Sequence, residues 1–300
     1  LLVFFAFKCN KIYYNIEFMK IGITGATGHL GRLVVEKLKE RTASSNLVAL
    51  VRDTQKAGDL GIEARLFDYN KPDTLVESLK GINHLLLISG NEIGQRQAQH
   101  ENVIKAAKEA GVEWIVYTSL LHADTSSLVL ANEHLLTEEI LKSSGVPFTI
   151  LRNGWYTENY TASVPTALQN GALFGSAGEG KISSAARADY AEAAAVILTS
   201  ADQQNKVYEL AADYAYTLAE LAEEISNQTG KVIPYKNLSE SDYAKALIEA
   251  GLPEGLATAI ASFDKGAANG DLYDDEKQLS TLIGRPTTSL TTAVEAALAG

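Results

Sequence analysis

The sequence predicts an α/β fold, a doubly wound parallel sheet into which a smaller C-terminal subdomain is woven. Three observations predict it. Six short apolar runs between residues 21 and 151 have strand length, and stretches of helical period separate them. Helical stretches stop at Gly81, Gly111 and Gly145, residues that suit helix C-termini. Between the first run and the first helix stands a glycine-rich turn, Gly25-Ala26-Thr27-Gly28-His29-Leu30-Gly31. Alternation of this kind gives a parallel sheet with helices on both faces. Right-handed crossovers then bring the carboxyl ends of the strands to one edge, where ligands bind.

The elements follow in order. Residues 21–24 form the first strand, and a helix leaves the glycine turn with Leu30, Val34 and Leu38 on one face. Strands are expected at 47–51, 63–67, 84–89, 114–118 and 148–151. Helices are expected from Pro72 to Lys80, over 95–110 and over 128–144. This assigns 19–152 to a Rossmann-like domain. Residues 153–181 are rich in Gly, Asn, Tyr and Ser and read as loops lining a site. An Ala-rich helix at 189–200 and a strand at 206–210 return the segment 182–210 to the sheet. Thr217 and Glu220 form a capping box for a helix over 217–229. A short strand at 232–235, helices over 239–262 broken at Gly251-Leu252-Pro253, and a last helix at 289–298 complete the chain. Segments 153–181 and 211–300 make the substrate-binding subdomain.

Composition narrows the function. A net charge of −11 with no basic run excludes a nucleic-acid surface. No apolar run reaches membrane-spanning length, so no membrane partner and a cytoplasmic location are expected. Residues 1–18 do not match the rest of the chain. Their basic residues come after the apolar run, the reverse of a secretory signal, and no small-residue cleavage site appears. Met19 is the sole methionine and the first strand starts directly after it, so 1–18 reads as a non-native leader. An anchor or targeting segment is the alternative. Cys9, the only cysteine, lies in that leader, and the body from Met19 on has no means for disulfide, thiolate or Cys-zinc chemistry.

The glycine turn carries the chemistry. Gly25 permits the tight turn, Gly28 a close approach by a pyrophosphate, and Gly31 close packing of helix on strand. The helix start offers free N–H groups to phosphates. Gly25, Ala26, Thr27, Gly28, His29 and Leu30 are therefore candidate dinucleotide contacts. Arg52 ends the second strand, about 20 residues further on, where an acidic residue would select NAD and an arginine suits the 2′-phosphate of NADP. The neighbouring Asp53 could instead take the acidic role. Asp68 and Tyr69, Ser89 and Gly90, and Thr118 and Ser119 stand at the ends of strands three, four and five, and are candidate contacts too. His134 lies on the helix after strand five, where it can bond a ribose or carry a proton. Asn153 and Gly154 follow strand six as cofactor contacts, and Trp155, Tyr156 and Tyr160 offer a wall for a planar substrate. No His-x-x-x-His spacing occurs, and no metal is expected. His122 and Asp124 lack the Gly-x-Ser-x-Gly elbow that would make them part of a triad.

The turn 24–31 resembles the atypical short-chain dehydrogenase/reductase superfamily, in its NmrA-like branch. Gly94-Gln95-Arg96, His100-Glu101-Asn102-Val103-Ile104, residues 118–126, Leu151-Arg152-Asn153-Gly154-Trp155-Tyr156 and Leu282-Ile283-Gly284-Arg285-Pro286 are similar to the bacterial NAD(P)H:quinone oxidoreductases of that branch. Short-chain reductases usually carry Tyr-x-x-x-Lys on the helix after strand five. Here that spacing occurs only at Tyr273 and Lys277, in the tail. The resemblance implies that this absence belongs to the branch. It implies NADPH-dependent reduction of quinones by direct hydride transfer, with the proton taken from solvent; no residue is assigned as a certain catalytic group, and His134 is the one candidate. Two alternatives stand beside it: a non-catalytic NAD(P)-sensing regulator, and an NADPH reductase of cationic dyes. A monomer or homodimer is expected.

Overall fold

The computed structural model describes residues 19–299. The leader over 1–18 and Cys9 lie outside the described residues. The strands are β1 (Ile21–Thr24), β2 (Leu47–Val51), β3 (Glu63–Leu66), β4 (His84–Leu87), β5 (Trp114–Leu120), β6 (Phe148–Asn153), β7 (Leu173–Gly175), β8 (Lys206–Leu210) and β9 (Tyr235–Asn237). Seven of them form one sheet in the order β3-β2-β1-β4-β5-β6-β8. Every pairing in it is parallel, with Ile21 opposite both Leu47 and His84. The strand order reverses at β1 and β4, which makes that edge the switch point for ligand binding.

Strands buried on both faces read as unbroken apolar runs. β2 is buried at all positions: Leu47, Ala49 and Val51 serve one core, Val48 and Leu50 the other. Helices α1 (His29–Lys39) and α7 (Arg187–Thr199) pack together on the first face, with α11 (Gln278–Ile283) against α7. Helices α2 (Pro72–Leu79), α3 (Arg96–Glu109) and α4 (Val129–Ser143) cover the second. β8 lies beside β6, and α7 lies on α1.

A third core gathers α5 (Thr157–Thr161), α6 (Val164–Asn170), α8 (Leu218–Thr229), α12 (Leu290–Ala299) and the parallel pair β7–β9. The capping box at Thr217 and Glu220 is present in both directions. Helix α9 (Glu240–Glu249) buries none of its residues and packs on α10 (Glu254–Asn269), which reaches back to the sheet edge. Among the described residues no helix is long and apolar enough to cross a membrane.

Several boundaries differ from expectation. β5 and β6 run past 118 and 151 because their ends pair, Leu120 opposite Asn153. The strand expected at 232–235 starts at Tyr235, because its partner is Leu173 in β7, a strand that local pattern hides. Helix α10 continues to Asn269, seven residues past 262. α11 lacks a strong local signal and exists by packing on α7.

Asp264 on α10 is buried, and its Oδ2 accepts a hydrogen bond from the Ser176 N–H at 2.8 Å. Burial pushes its carboxyl up to about 6, against the Ser176 bond. A native value above the unfolded one means that the folded chain holds the extra proton between about pH 4 and about pH 6, so this group's contribution to stability falls as pH rises through that window. The fall is expected to be on the order of 3 kcal/mol. Asp264→Asn should remove it, which urea unfolding at a series of pH values would detect.

Candidate functional site

A cleft of about 1090 Å³ opens along the carboxyl ends of the central strands. The glycine turn forms its floor. Gly25 sits at φ +58°, a conformation open mainly to glycine, and its carbonyl accepts from the Gly28 N–H at 2.9 Å. A side chain at Gly31 would place its Cβ 2.2 Å from the Gly25 carbonyl oxygen, so helix and turn touch backbone to backbone. The N-cap of α1 is Gly28, which brings no side-chain cap, and no acidic residue occupies the first turn. The N–H groups of α1 therefore remain available, with the positive end of the helix dipole beside them. Gly25, Thr27, Gly28, His29 and Leu30 all line the cleft. Ala26 faces inward and packs in the first core.

On the β2 side, Arg52 projects into solvent at the cleft rim and pairs with Glu92 at 3.1 Å. Asp53 caps the following 3-10 turn (Thr54–Leu60) by accepting from the Gln55 N–H. That turn brings Gln55 and Lys56 to the rim. Arg32, on α1, joins them, held by Asp59 at 2.6 Å and by the Thr27 and Lys56 carbonyls at 3.3 and 3.0 Å. Arg32 and Lys56 were not legible as site residues, because a 3-10 turn has no strong sequence signature. Asp68, Tyr69, Ser89 and Gly90 line the middle of the cleft. The Tyr69 hydroxyl donates to the Ile88 carbonyl at 3.1 Å, and Gly90 is fixed by His100 and by Arg96. Thr118 and Ser119 part company, as neighbours on a strand do. Thr118 leaves the cleft and accepts from the Ser89 N–H at 2.9 Å, whereas Ser119 lines it.

Behind Ser119 lies a buried ion cluster. The Ser119 hydroxyl donates to Glu138 at 2.7 Å, and Arg152 donates twice to the same carboxylate at 2.9 Å. Arg152 also pairs with Glu209 at 2.8 Å and Asp124 at 3.0 Å. Asp124 thus serves this cluster, and His122 meets Glu209 and Asp274 on its flank.

On the β5–β6 side stand His134, Asn153, Gly154, Trp155 and Tyr156. His134 is buried, with Nδ1 2.8 Å from the Tyr117 hydroxyl. Burial, the Arg96 charge and His100 hold it well below the usual histidine range, which leaves a neutral ring. The side-chain oxygen of Asn153 is buried at the wall with no protein partner. Gly154 is glycine because a Cβ there would stand 3.0 Å from the Tyr190 hydroxyl and 3.1 Å from the Leu210 carbonyl. Trp155 packs on Phe263 of α10, centroids 4.8 Å apart, and Arg187 lies 4.5 Å over the Tyr156 ring. Phe263, Leu130 and Arg187 line the cleft and were missed, since nothing local marks a distant helix as its wall. Tyr160 does not line it: its ring packs edge-on to Tyr216 at 6.3 Å, and its buried hydroxyl has no partner. Tyr273 and Lys277 also lie outside, one bonded to Asp275 and the other over Tyr214. Among the described residues no group of three or more His, Cys, Asp or Glu could hold a metal ion.

Comparison with known proteins agrees with this geometry. A family model described as NAD(P)H-binding matches residues 25–201. Quinone oxidoreductase 2 of Escherichia coli is 55% identical over 277 residues, which cover 91% of this chain and 97% of that protein. The crystal structure of the NADPH-dependent quinone oxidoreductase of Escherichia coli with NADPH superposes with a TM-score of 0.91, at 54% identity, over 93% of this chain and 99% of that one. The triphenylmethane reductase of Citrobacter sp. with NADP(H) gives 0.90 at 35% identity, over 93% and 100%. The chain belongs to the NAD(P)H-binding family.

Proposed function

We propose that this chain is an NADPH-dependent quinone reductase that works by direct hydride transfer. The observation that carries the reading is one continuous cleft with an uncapped helix start on its floor and an aromatic wall at the β6 side. The relative at 55% identity, named quinone oxidoreductase 2, supports it.

The residues fit the cofactor. The start of α1 would hold the diphosphate. Arg52, with Arg32 and Lys56 beside it, supplies positive charge for a 2′-phosphate. The unpartnered Asn153 oxygen is an acceptor for a carboxamide. Bound NADPH supplies the hydride. Trp155, Tyr156 and Phe263 offer the substrate ring an aromatic wall, so catalysis comes chiefly from positioning. His134, neutral and buried, is a poor proton donor, and water provides the proton. We assign 19–152 and 182–210 to cofactor binding, and 153–181 and 211–300 to the substrate side.

The test is steady-state oxidation of NADPH and NADH against a panel of benzoquinones and cationic dyes. Turnover with quinones and preference for NADPH are expected. Tight NADPH binding without turnover on any acceptor would overturn the reading in favour of a regulator; turnover confined to dyes would overturn the quinone assignment. Arg52→Ala should weaken NADPH by about 1.5–3 kcal/mol, the worth of a charge-assisted hydrogen bond, and leave NADH nearly untouched. Titration of both cofactors by fluorescence checks this, and equal loss for both would remove the role of Arg52.

A further inference from the structure

Resting on the reading of the cleft above, we infer that Tyr117 is a positioning residue. It fixes His134 in the tautomer with hydrogen on Nε2, and His134 thereby presents a neutral hydrogen-bond donor to the substrate oxygen. Tyr117 is fully buried on β5, and its side chain shares a face with Ser119, two residues on. Both turn toward α4: Ser119 bonds Glu138, and the Tyr117 hydroxyl stands 2.8 Å from His134 Nδ1. A buried hydroxyl needs an acceptor for its hydrogen. The neighbouring hydroxyl of Thr137 gives its one hydrogen to the Glu133 carbonyl at 3.0 Å and accepts from His100 Nδ1 at 3.1 Å, so it has none to give to Tyr117. The Tyr117 hydroxyl meets His134 Nδ1 at 2.8 Å, and we take Nδ1 as the acceptor of its hydrogen. A neutral imidazole carries one hydrogen, which is then on Nε2.

His100 shows the opposite arrangement in the same cluster. Its Nε2 accepts from the Gly90 N–H at 3.0 Å, which puts its hydrogen on Nδ1, toward Thr137. Burial pushes His100 down to about 3, so it too is neutral. The two histidines are built as a pair of opposite tautomers, one locking the β4 loop and the other bordering the cleft. Leu130, one turn before His134 on α4, lines the same stretch of wall.

A neutral N–H donor suits quinone chemistry. The hydride brings two electrons to the quinone and leaves a hydroquinone monoanion, with the charge on oxygen. Loss of the hydride would leave NADPH as NADP⁺, and a proton from water, which becomes hydroxide, would complete the hydroquinone. A fixed donor at that oxygen stabilises the developing charge without giving up its own hydrogen. A cationic triphenylmethane dye develops no oxygen anion when it takes up hydride, so it draws nothing from this donor.

The test has two parts. Nitrogen-15 NMR of the intact protein reads the tautomers directly: His134 with hydrogen on Nε2 and His100 with hydrogen on Nδ1 are expected. Hydrogen on Nδ1 of His134 would overturn the inference, whatever the activity. Tyr117→Phe should then lower kcat with benzoquinone by about tenfold, with NADPH affinity and dye turnover unchanged. An equal fall with quinone and dye would mean that Tyr117 is merely structural. Failure of the functional reading is separable, since it would show as no NADPH oxidation by the unaltered chain, while the NMR result stands on its own.

Discussion

Arg152→Met is expected to cost about 3–5 kcal/mol of stability and to reverse the pH dependence that Glu138 contributes. Arg152 is nearly buried and donates to Glu138 through two nitrogens while holding Glu209 and Asp124 through a third. Glu138 is fully buried. Burial alone would raise its carboxyl, but Arg152, Ser119 and Lys142 outweigh burial and hold it below the usual range. A depressed native value means that the stability Glu138 contributes is present above the unfolded value and is lost as pH falls through the native one. Without the guanidinium, burial dominates and the carboxyl rises. The variant then gains stability on acidification, where the unaltered chain loses it. Guanidinium unfolding at a series of pH values would show both the loss and the change of slope. Lys142→Met, which removes a half-exposed ammonium 3.2 Å from the same carboxylate, should cost far less. If Arg152→Met leaves the unfolding midpoint in place at neutral pH, the cluster does not hold the β5–β6 edge together. Because Ser119 donates to the same carboxylate, the variant also loosens one wall of the cleft.

What was legible in the sequence and what was not divides along physical lines. Strands buried on both faces announce themselves, and β2 and β5 stand where apolar runs such as Leu47 to Val51 put them. The turn from Gly25 to Gly31 was legible because backbone geometry, read by glycine, is local. Side-chain direction is less so. Thr118 and Ser119 were equal candidates until the pleat sent one to the Ser89 N–H and the other to the cleft. Tyr160 looked like part of an aromatic wall, yet α5 turns it into the C-terminal core against Tyr216. Phe263, some hundred residues from Trp155, supplies that wall, and only tertiary packing brings the two rings together. The β7–β9 pair stayed hidden for the same reason, since three-residue strands exist by virtue of their partner.

Gly31→Ala should be the most damaging change available in the glycine turn, at about 3 kcal/mol of stability and tenfold or more in NADPH affinity. The added Cβ would stand 2.2 Å from the Gly25 carbonyl oxygen, 2.7 Å from Ala26 Cα and 2.8 Å from the Gly25 carbonyl carbon. All three are backbone atoms, so no side chain can swing away, and either α1 or the turn must shift. The turn is anchored by the Gly28 N–H bond to Gly25 and by packing of Ala26 and Leu30 in the core. A shift of α1 disturbs its face against α7 and moves the free N–H groups that would meet the diphosphate. Stability and affinity should therefore fall together. Gly58→Ala is the matching control: a Cβ there meets nothing within 4 Å, and Gly58 lies in the 3-10 turn on the same side of the cleft. It should change stability by less than about 0.5 kcal/mol. Thermal unfolding with and without NADPH measures both quantities in each variant. If Gly31→Ala binds NADPH as the unaltered chain does, the close contact between turn and helix does not set the position of the helix start.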